Sequence, residues 1–271
     1  MKKILSAGCA FLIATLIQAQ QKEGKVTYER ITQMQIRIDD GHVNDEIQNM
    51  LPKTRKDNFE LIFGNNQSLW KAVEKENEEE SGFGGDNGGV QIRMVAGGTD
   101  DALHNNFVTG KRTEQREFLD KKFIIDDSIR PLKWKLTNET KTILNHNCIK
   151  ATATQISKRT QMNMDNGKME RKEIEDTSAI IAWFAADIPV SAGPGEYQGQ
   201  LPGLILEMGI ANGRQIFNAL EISSKADLAL IKEPTGKKHY TPAEFRKERE
   251  KMMDEMQRNN TGGNRQVIRM N

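Results

Sequence analysis

The stretch "GPGEYQGQLPGLILEMG", residues 193–209, decides how the rest of the chain is read. Six of the eleven residues from Gly193 to Gly203 are Gly or Pro, and an apolar run, Leu204-Ile205-Leu206, follows without a break. Pro presets φ at the second position of a type II turn and Gly accepts a positive φ at the third, so Pro202-Gly203 reads as such a turn. Leu201 on one side and Leu204 and Ile205 on the other would anchor it in the core, with Gly199 in the same punctuated approach. Upstream, "DIPVSAGP" ends a strand at Pro189 and crosses to the next one. A catalytic loop here would use Ser191, Glu196, Tyr197 or Glu207, with no histidine close by in sequence. The Gly and Pro density therefore reads as backbone geometry between buried strands.

Strand signals extend outward on both sides. Ala179 to Ala186, "AIIAWFAA", is a continuous apolar run that reads as a strand buried on both faces. Asn212-Gly213 is a turn before a strand over Gln215–Ile222, and Asn166-Gly167 within "DNGK" is a hairpin signal between two polar strand-like segments. Toward the N-terminus, Val26, Tyr28, Met34, Ile36 and Ile38 alternate with polar residues as in a half-buried strand, although Arg30 and Thr32 fall on the apolar parity and imply a bulge or a wet middle. Asn58 to Trp70 repeats the pattern with Phe59, Leu61 and Phe63 on one face. Further strand signals lie at Asn106–Val108, Thr113–Leu119 and Lys122–Ile125, and Asn145-His146-Asn147 bends the chain or ends a strand.

The acidic, Gly-rich sequence near "KENEEESGFGGDNGG" lacks the apolar content to offset ordering entropy and reads as a flexible surface insertion over about 74–105. At the other end, Thr241-Pro242-Ala243-Glu244 combines an N-cap Thr, Pro at the first helical position and Glu at the third, a capping box. Phe245, Met252, Met253 and Met256 form one stripe of the helix that follows, over 241–258, and 259–271 reads as a disordered tail. Short strands, hairpin turns and one helix predict a mainly antiparallel β domain over 20–240, a curved sheet or open half-barrel with a C-terminal amphipathic helix.

The first residues read MKK, then Ile4 to Ile17 without a charge, then Gln18-Ala19-Gln20, the pattern of a signal peptide over 1–19. An exported protein follows as the expectation: periplasmic, on the periplasmic face of an outer membrane, or secreted. The apolar stretch is short of the ~20 residues of a spanning helix, and no later segment is long and apolar enough to span. Cleavage removes Lys2 and Lys3 and no acid, so 39 basic residues fall to 37 against 38 acidic ones. So even a balance offers no general field for nucleic acid. Cys148 alone remains of the two cysteines after cleavage, which excludes a disulfide framework within the chain.

Taken together, Trp183 with "DIPVSAGPGEYQGQLPGLILEM", "TGKRTEQREFLDKKFIID" at 109–126, Trp134 with "NHNCIKATA", and "GKKHYTPAEFRK" at 236–247 resemble the GLPGLI family of secreted proteins from Bacteroidetes-type bacteria. Gln200 stands where the family motif has its first Gly, and Gly199 is displaced by one. The resemblance implies an address and a fold. It implies no chemistry.

The remaining candidates for chemistry are sparse. His146 and Cys148 lie two apart and share a strand face with Lys150, a setting in which a thiol pKa could be lowered or a soft metal held. They supply two ligands where a closed metal site needs about four. Met162, Met164 and Met169 surround a hairpin and are thioethers of the kind that suit Cu(I), although Met is also ordinary gap-filling. His42, His104 and His239 are dispersed, and no G-x-S-x-G, H-E-x-x-H or P-loop occurs. Asp86, Asp100 and Asp101 lack EF-hand spacing, and Gly82–Gly89 lacks the Lys-Ser/Thr of a phosphate loop. No cofactor is expected. The leading expectation is a non-enzymatic envelope protein holding a hydrophobic ligand or peptide on a concave apolar face. The alternatives are an assembly module for an outer-membrane protein and a metal-handling protein using His146 and Cys148.

Overall fold

The structure, a computed structural model, describes residues 21–33, 53–73, 101–165 and 168–261. The signal-like segment, most of the acidic Gly-rich insertion, His42, Asp86, Asp100 and the final residues lie outside them, as do the side chains of Met162, Met164 and Met169. Among the described residues, twelve strands form one open sheet: β1 (Gly24–Gln33), β2 (Thr54–Gly64), β3 (Gln67–Ala72), β4 (Ala102–Asn106), β5 (Lys111–Phe118), β6 (Lys121–Ser128), β7 (Lys135–Ile143), β8 (His146–Asp165), β9 (Lys168–Ala185), β10 (Leu204–Ile210), β11 (Gln215–Ser223) and β12 (His239–Tyr240). Their order is β12-β6-β5-β4-β3-β2-β1-β11-β10-β9-β8-β7, antiparallel throughout except where β12 runs parallel to β6. A helix, α1 (Pro242–Thr261), follows β12.

The turns explain the connectivity. Asn65-Asn66, Leu119-Asp120 and Leu144-Asn145 all have positive φ, as the two-residue hairpin loops that match strand twist require. The bend expected near Asn145-His146-Asn147 is thus a turn at Leu144-Asn145, and His146 opens β8. β8 and β9 close at Asp165↔Lys168 around the Asn166-Gly167 pair.

Register places Val26, Tyr28, Phe59, Leu61, Trp70, Leu103, Ala151, Ile180, Ala182, Met208 and Phe217 on one face, the inner face. They belong to a single core cluster. Of the bulge and the wet middle that the parity of Arg30 implied, β1 has the wet middle: its register with β2 is unbroken, and the shift opposite Thr27 and Tyr28 lies in β11, where Leu220 is left unpaired. Arg30 turns inward, donates to Asp57 Oδ2 at 2.8 Å and lies 4.6 Å over the Phe59 ring, which stacks on Trp70 at 4.8 Å.

Among the described residues, three segments cover the sheet. Residues 186–203 cross the inner face from β9 to β10. α1 covers the inner face of β5 and β6, with Phe245 and Met252 packed on Phe123 and Ile125. Its capping box is formed: Glu244 N–H donates to Thr241 Oγ1 at 3.2 Å, and Thr241 N–H to Glu244 Oε2 at 2.7 Å. Residues 224–238 strap the outer face of β2–β6. Leu228 lies against Gly64, and Glu233 bonds Lys111 Nζ at 2.5 Å and Thr113 Oγ1 at 2.9 Å. Under the strap, Ile62, Leu69, His104, Thr113 and Ile124 are buried. His104 donates to or accepts from Gln67 at 2.9 Å, and burial lowers its pKa.

Several expectations need correction. Ala102–Asn106 is a strand, so order resumes inside the span read as insertion, while Phe107–Gly110 is a turn with Val108 76% exposed. The helix runs to Thr261, past the boundary expected at 258, and Met253 and Met256 of its stripe are exposed because only the Phe245–Met252 side meets β6. Gly203 does not have positive φ; that property belongs to Gly199 (+75°). What Gly203 needs is absence of a side chain: a Cβ there would collide with the Ala185 carbonyl oxygen and sit 2.9 Å from its carbon. Gly209, by contrast, faces open space. Gly203→Ala is therefore expected to cost about 1–3 kcal/mol in urea unfolding, whereas Gly209→Ala gains up to about 0.5–1 kcal/mol. Equal midpoints for the two variants would contradict this packing.

Candidate functional site

The crossover at 186–203 is built almost entirely from its own hydrogen bonds and from contacts to the inner face. Leu204 N–H donates to Ile188 O at 3.0 Å and Ile205 N–H to Ala192 O at 3.0 Å, which lays the returning chain along the outgoing one. Gly199 N–H donates to Ser191 O at 2.6 Å and Ser191 Oγ to Leu201 O at 2.7 Å, closing the loop across its neck. Ser191 is thereby a structural hydroxyl.

Groups at the tip then reach segments distant in sequence. Gln198, fully buried, accepts from Ser68 Oγ at 2.6 Å and donates to Gly195 O at 3.0 Å. Tyr197 OH donates to Gln155 Oε1 on β8 at 2.9 Å, and burial raises its pKa far above the phenol range. Arg112 on β5 donates to Glu196 O at 2.5 Å. Gln200 Oε1 accepts from Leu132 N–H and Trp134 Nε1, both at 3.0 Å. Tyr28 OH donates to Ile205 O at 2.6 Å from a position with no solvent exposure, so it too is held neutral. Ile188, Ala192, Leu201, Leu204, Ile205 and Leu206 are buried among the sheet's own core residues. Where an apolar ligand was expected, over these strands, the inner face is occupied by the chain itself.

His146 and Cys148 lie at the rim where the crossover begins. His146 Nδ1 is 2.7 Å from Asp187 Oδ2, a partner 41 residues away that nothing in the sequence announces. Cys148 is completely buried and its Sγ donates to His146 O at 3.6 Å, a backbone contact. Burial, with Asp187 adding to it, pushes the thiol up to about 11. The lowered pKa expected for a thiol beside His and Lys is thus reversed: desolvation exceeds the effect of Lys141. Among the described residues no group of three or more His, Cys, Asp or Glu is placed to hold a metal. A shallow, open depression of about 400 Å³ beside His146 is lined by Gln21, Leu144, Asn145, Leu220, Glu221, Ile222 and Ser224. It also shows that the sheet curls, since it brings the β7–β8 turn beside β11.

The outer face of β8–β11 carries what the sequence pattern did not reveal. Ile31, Ile216, Gly209, Ile181 and Thr152 are paired in one row across five strands, and no strap lies over them among the described residues. Ile181 is 41% exposed and Ile156, further along the same face, 67%. The run "AIIAWFAA" is therefore buried on one face only: Ile180, Ala182 and Phe184 face the core, while Ala179 and Ile181 face outward. In the adjacent row Trp183 is half-buried, with Lys141 Nζ 4.4 Å from its ring centre and Glu207 2.6 Å from the same ammonium.

A family profile described as "Protein of unknown function (Porph_ging)" matches residues 134–207, from the end of the Leu132–Trp134 anchor through the crossover into β10. No curated protein matches the chain. Similar solved structures include "Structure of PNGF-II in C2 space group", 17% identical with a TM-score of 0.46 over 81% of this chain and 30% of that one. A second is "Structure of PNGF-II in P21 space group", 15% identical with a TM-score of 0.48 over 83% and 32%. This chain thus spans about a third of the length of those proteins.

The thiol gives a direct check. Its stabilising contribution is complete below the unfolded pKa of about 8.5–9 and is lost as pH rises toward 11, on the order of 2–3 kcal/mol. Urea unfolding should show that alkaline loss shrink in Cys148→Ala relative to the native chain. A native thiol that instead alkylates at pH 7 as fast as free cysteine would contradict the burial.

Proposed function

We propose that this is an exported protein that works by binding another polypeptide and performs no reaction of its own. The observation that carries the reading is the outward row of Ile31, Ile216, Gly209, Ile181 and Thr152. An apolar strand run normally has both faces covered or one face polar, and here one outward row is largely apolar with no strap over it among the described residues. The buried thiol and the neutral tyrosines favour binding over catalysis. The filled inner face favours a macromolecular partner over a small apolar ligand.

The QLPGLI signature and its companion stretches support placing the chain among the GLPGLI proteins, and the MKK start with its apolar run supports export across an inner membrane. An outer-membrane protein is then the expected class of partner. Trp183 with Lys141 and Glu207 would form the polar rim of the contact.

Cross-linking in the native envelope tests this. Ile181→Asp and Ile156→Asp, both at exposed positions of this face, should leave stability within about 1 kcal/mol, yet remove the cross-linked partner. A stoichiometric lipid mass co-purifying with the chain in native mass spectrometry, with the cross-link unaffected by either variant, would contradict the proposal.

A further inference from the structure

β8 and β9 outrun the sheet that holds them. β7 pairs with β8 only as far as Thr152, and β10 leaves β9 at Ile180 to turn through Ala211–Arg214. Beyond the bond from Ala211 N–H to Ala179 O, the two strands pair with each other alone among the described residues, from Gln155↔Ser178 to Asp165↔Lys168. That is a ribbon of about 35 Å at ~3.3 Å per residue. A two-stranded ribbon is marginal in water, and each bare edge presents unpaired backbone groups that template a further strand.

The two edges differ in what they can accept. The β8 arm carries Lys158 and Arg159 and no acid until Asp165. Paired antiparallel with another β8 arm it would set cations against cations. The β9 arm reads Arg171-Lys172-Glu173-Ile174-Glu175-Asp176, and its charge reverses sign about its centre. An antiparallel strand runs backward, so such a sequence is complementary to itself. With the two-fold axis between Glu173 and Ile174, Arg171 stands opposite Asp176 of the other copy and Lys172 opposite Glu175. Symmetry repeats both pairs, giving four opposite-charge cross-strand pairs.

We propose that a second copy of this chain docks antiparallel along the open edge of the β9 arm, forming a closed two-fold dimer through a continuous four-stranded ribbon. The contact is isologous and uses the same patch on both copies, so it ends at two. Antiparallel overlap puts the two sheets at opposite ends of the ribbon, where they do not collide. The incoming arm extends the line that β10 vacates at Ala211. The sheet's own edge at β7 is blunted by the register shift between Leu136 and Thr140. This inference stands on the β9 edge alone and holds whether or not the outward apolar row binds a partner.

Sedimentation velocity of the chain over a range of concentrations tests it. The native chain should dimerise, more weakly as salt is raised. Arg171→Glu/Lys172→Glu leaves the arm all acidic, and Glu175→Lys/Asp176→Lys leaves it predominantly basic. Each variant alone should lose self-association by about tenfold or more. An equimolar mixture of the two should regain the dimer, a rescue that misfolded variants could not give. A native chain that stays monomeric, a dimer indifferent to both variants, or a mixture that fails to associate would each overturn the proposal.

Discussion

The structure depends on how closely residues 186–203 can lie against the sheet. At Gly203 the backbone touches the Ala185 carbonyl, and at Gly193 it touches Ile205, whose side-chain atoms would sit 2.8 Å from an added Cβ. Those two approaches let the crossover fold flat on the inner face rather than arch over it. Once flat, its carbonyl and side-chain groups reach Ser68, Arg112 and Gln155, which belong to strands spread across the sheet. One short segment thus ties β3, β5 and β8 together, and a curved open sheet gains the second layer that a one-layer sheet lacks.

The tie has a consequence for the rest of the surface. With the crossover and α1 on the inner face and the 224–238 strap on the outer face of β2–β6, the protein has used its own chain to cover most of what a sheet leaves bare. The outer face of β8–β11 and the β8–β9 ribbon are the exceptions among the described residues. Both lie away from the strap; one leaves apolar β-branched side chains uncovered and the other leaves backbone edge.

Much of this was legible in the sequence. Alternation in Lys25–Gln33 and Asn58–Trp70 marked the inner-face residues of β1 and β2, Asn-Gly pairs marked turns, and Thr241 with Glu244 marked the helix start. What sequence could not carry were long-range partners and coverage. His146 meets Asp187, and Gln198 meets Ser68 from 130 residues away, because the chain crosses the sheet. The apolar run at 179–186 implied two covered faces, since hydrophobicity reports what a residue prefers and not what lies over it. Pro-Gly at 202–203 implied a φ requirement, whereas the constraint is a backbone contact that only the folded sheet supplies. Likewise His146, Cys148 and Lys150 suggested an activated thiol, and burial, which spacing does not encode, reversed the sign.

The crossover, on this reading, is part of the core and not a lid. Native-state hydrogen exchange measures this directly, because each relevant amide has a named acceptor: Gly199 to Ser191, Leu204 to Ile188 and Ile205 to Ala192. A crossover that belongs to the core has these amides exchanging as slowly as those of β1 and β11, opening only with global unfolding. Fast exchange at 199–205 against slow exchange in the strands would mean that the segment lifts off while the sheet stays folded. The inner face would then be a gated cavity, and the crossover a lid rather than a core layer.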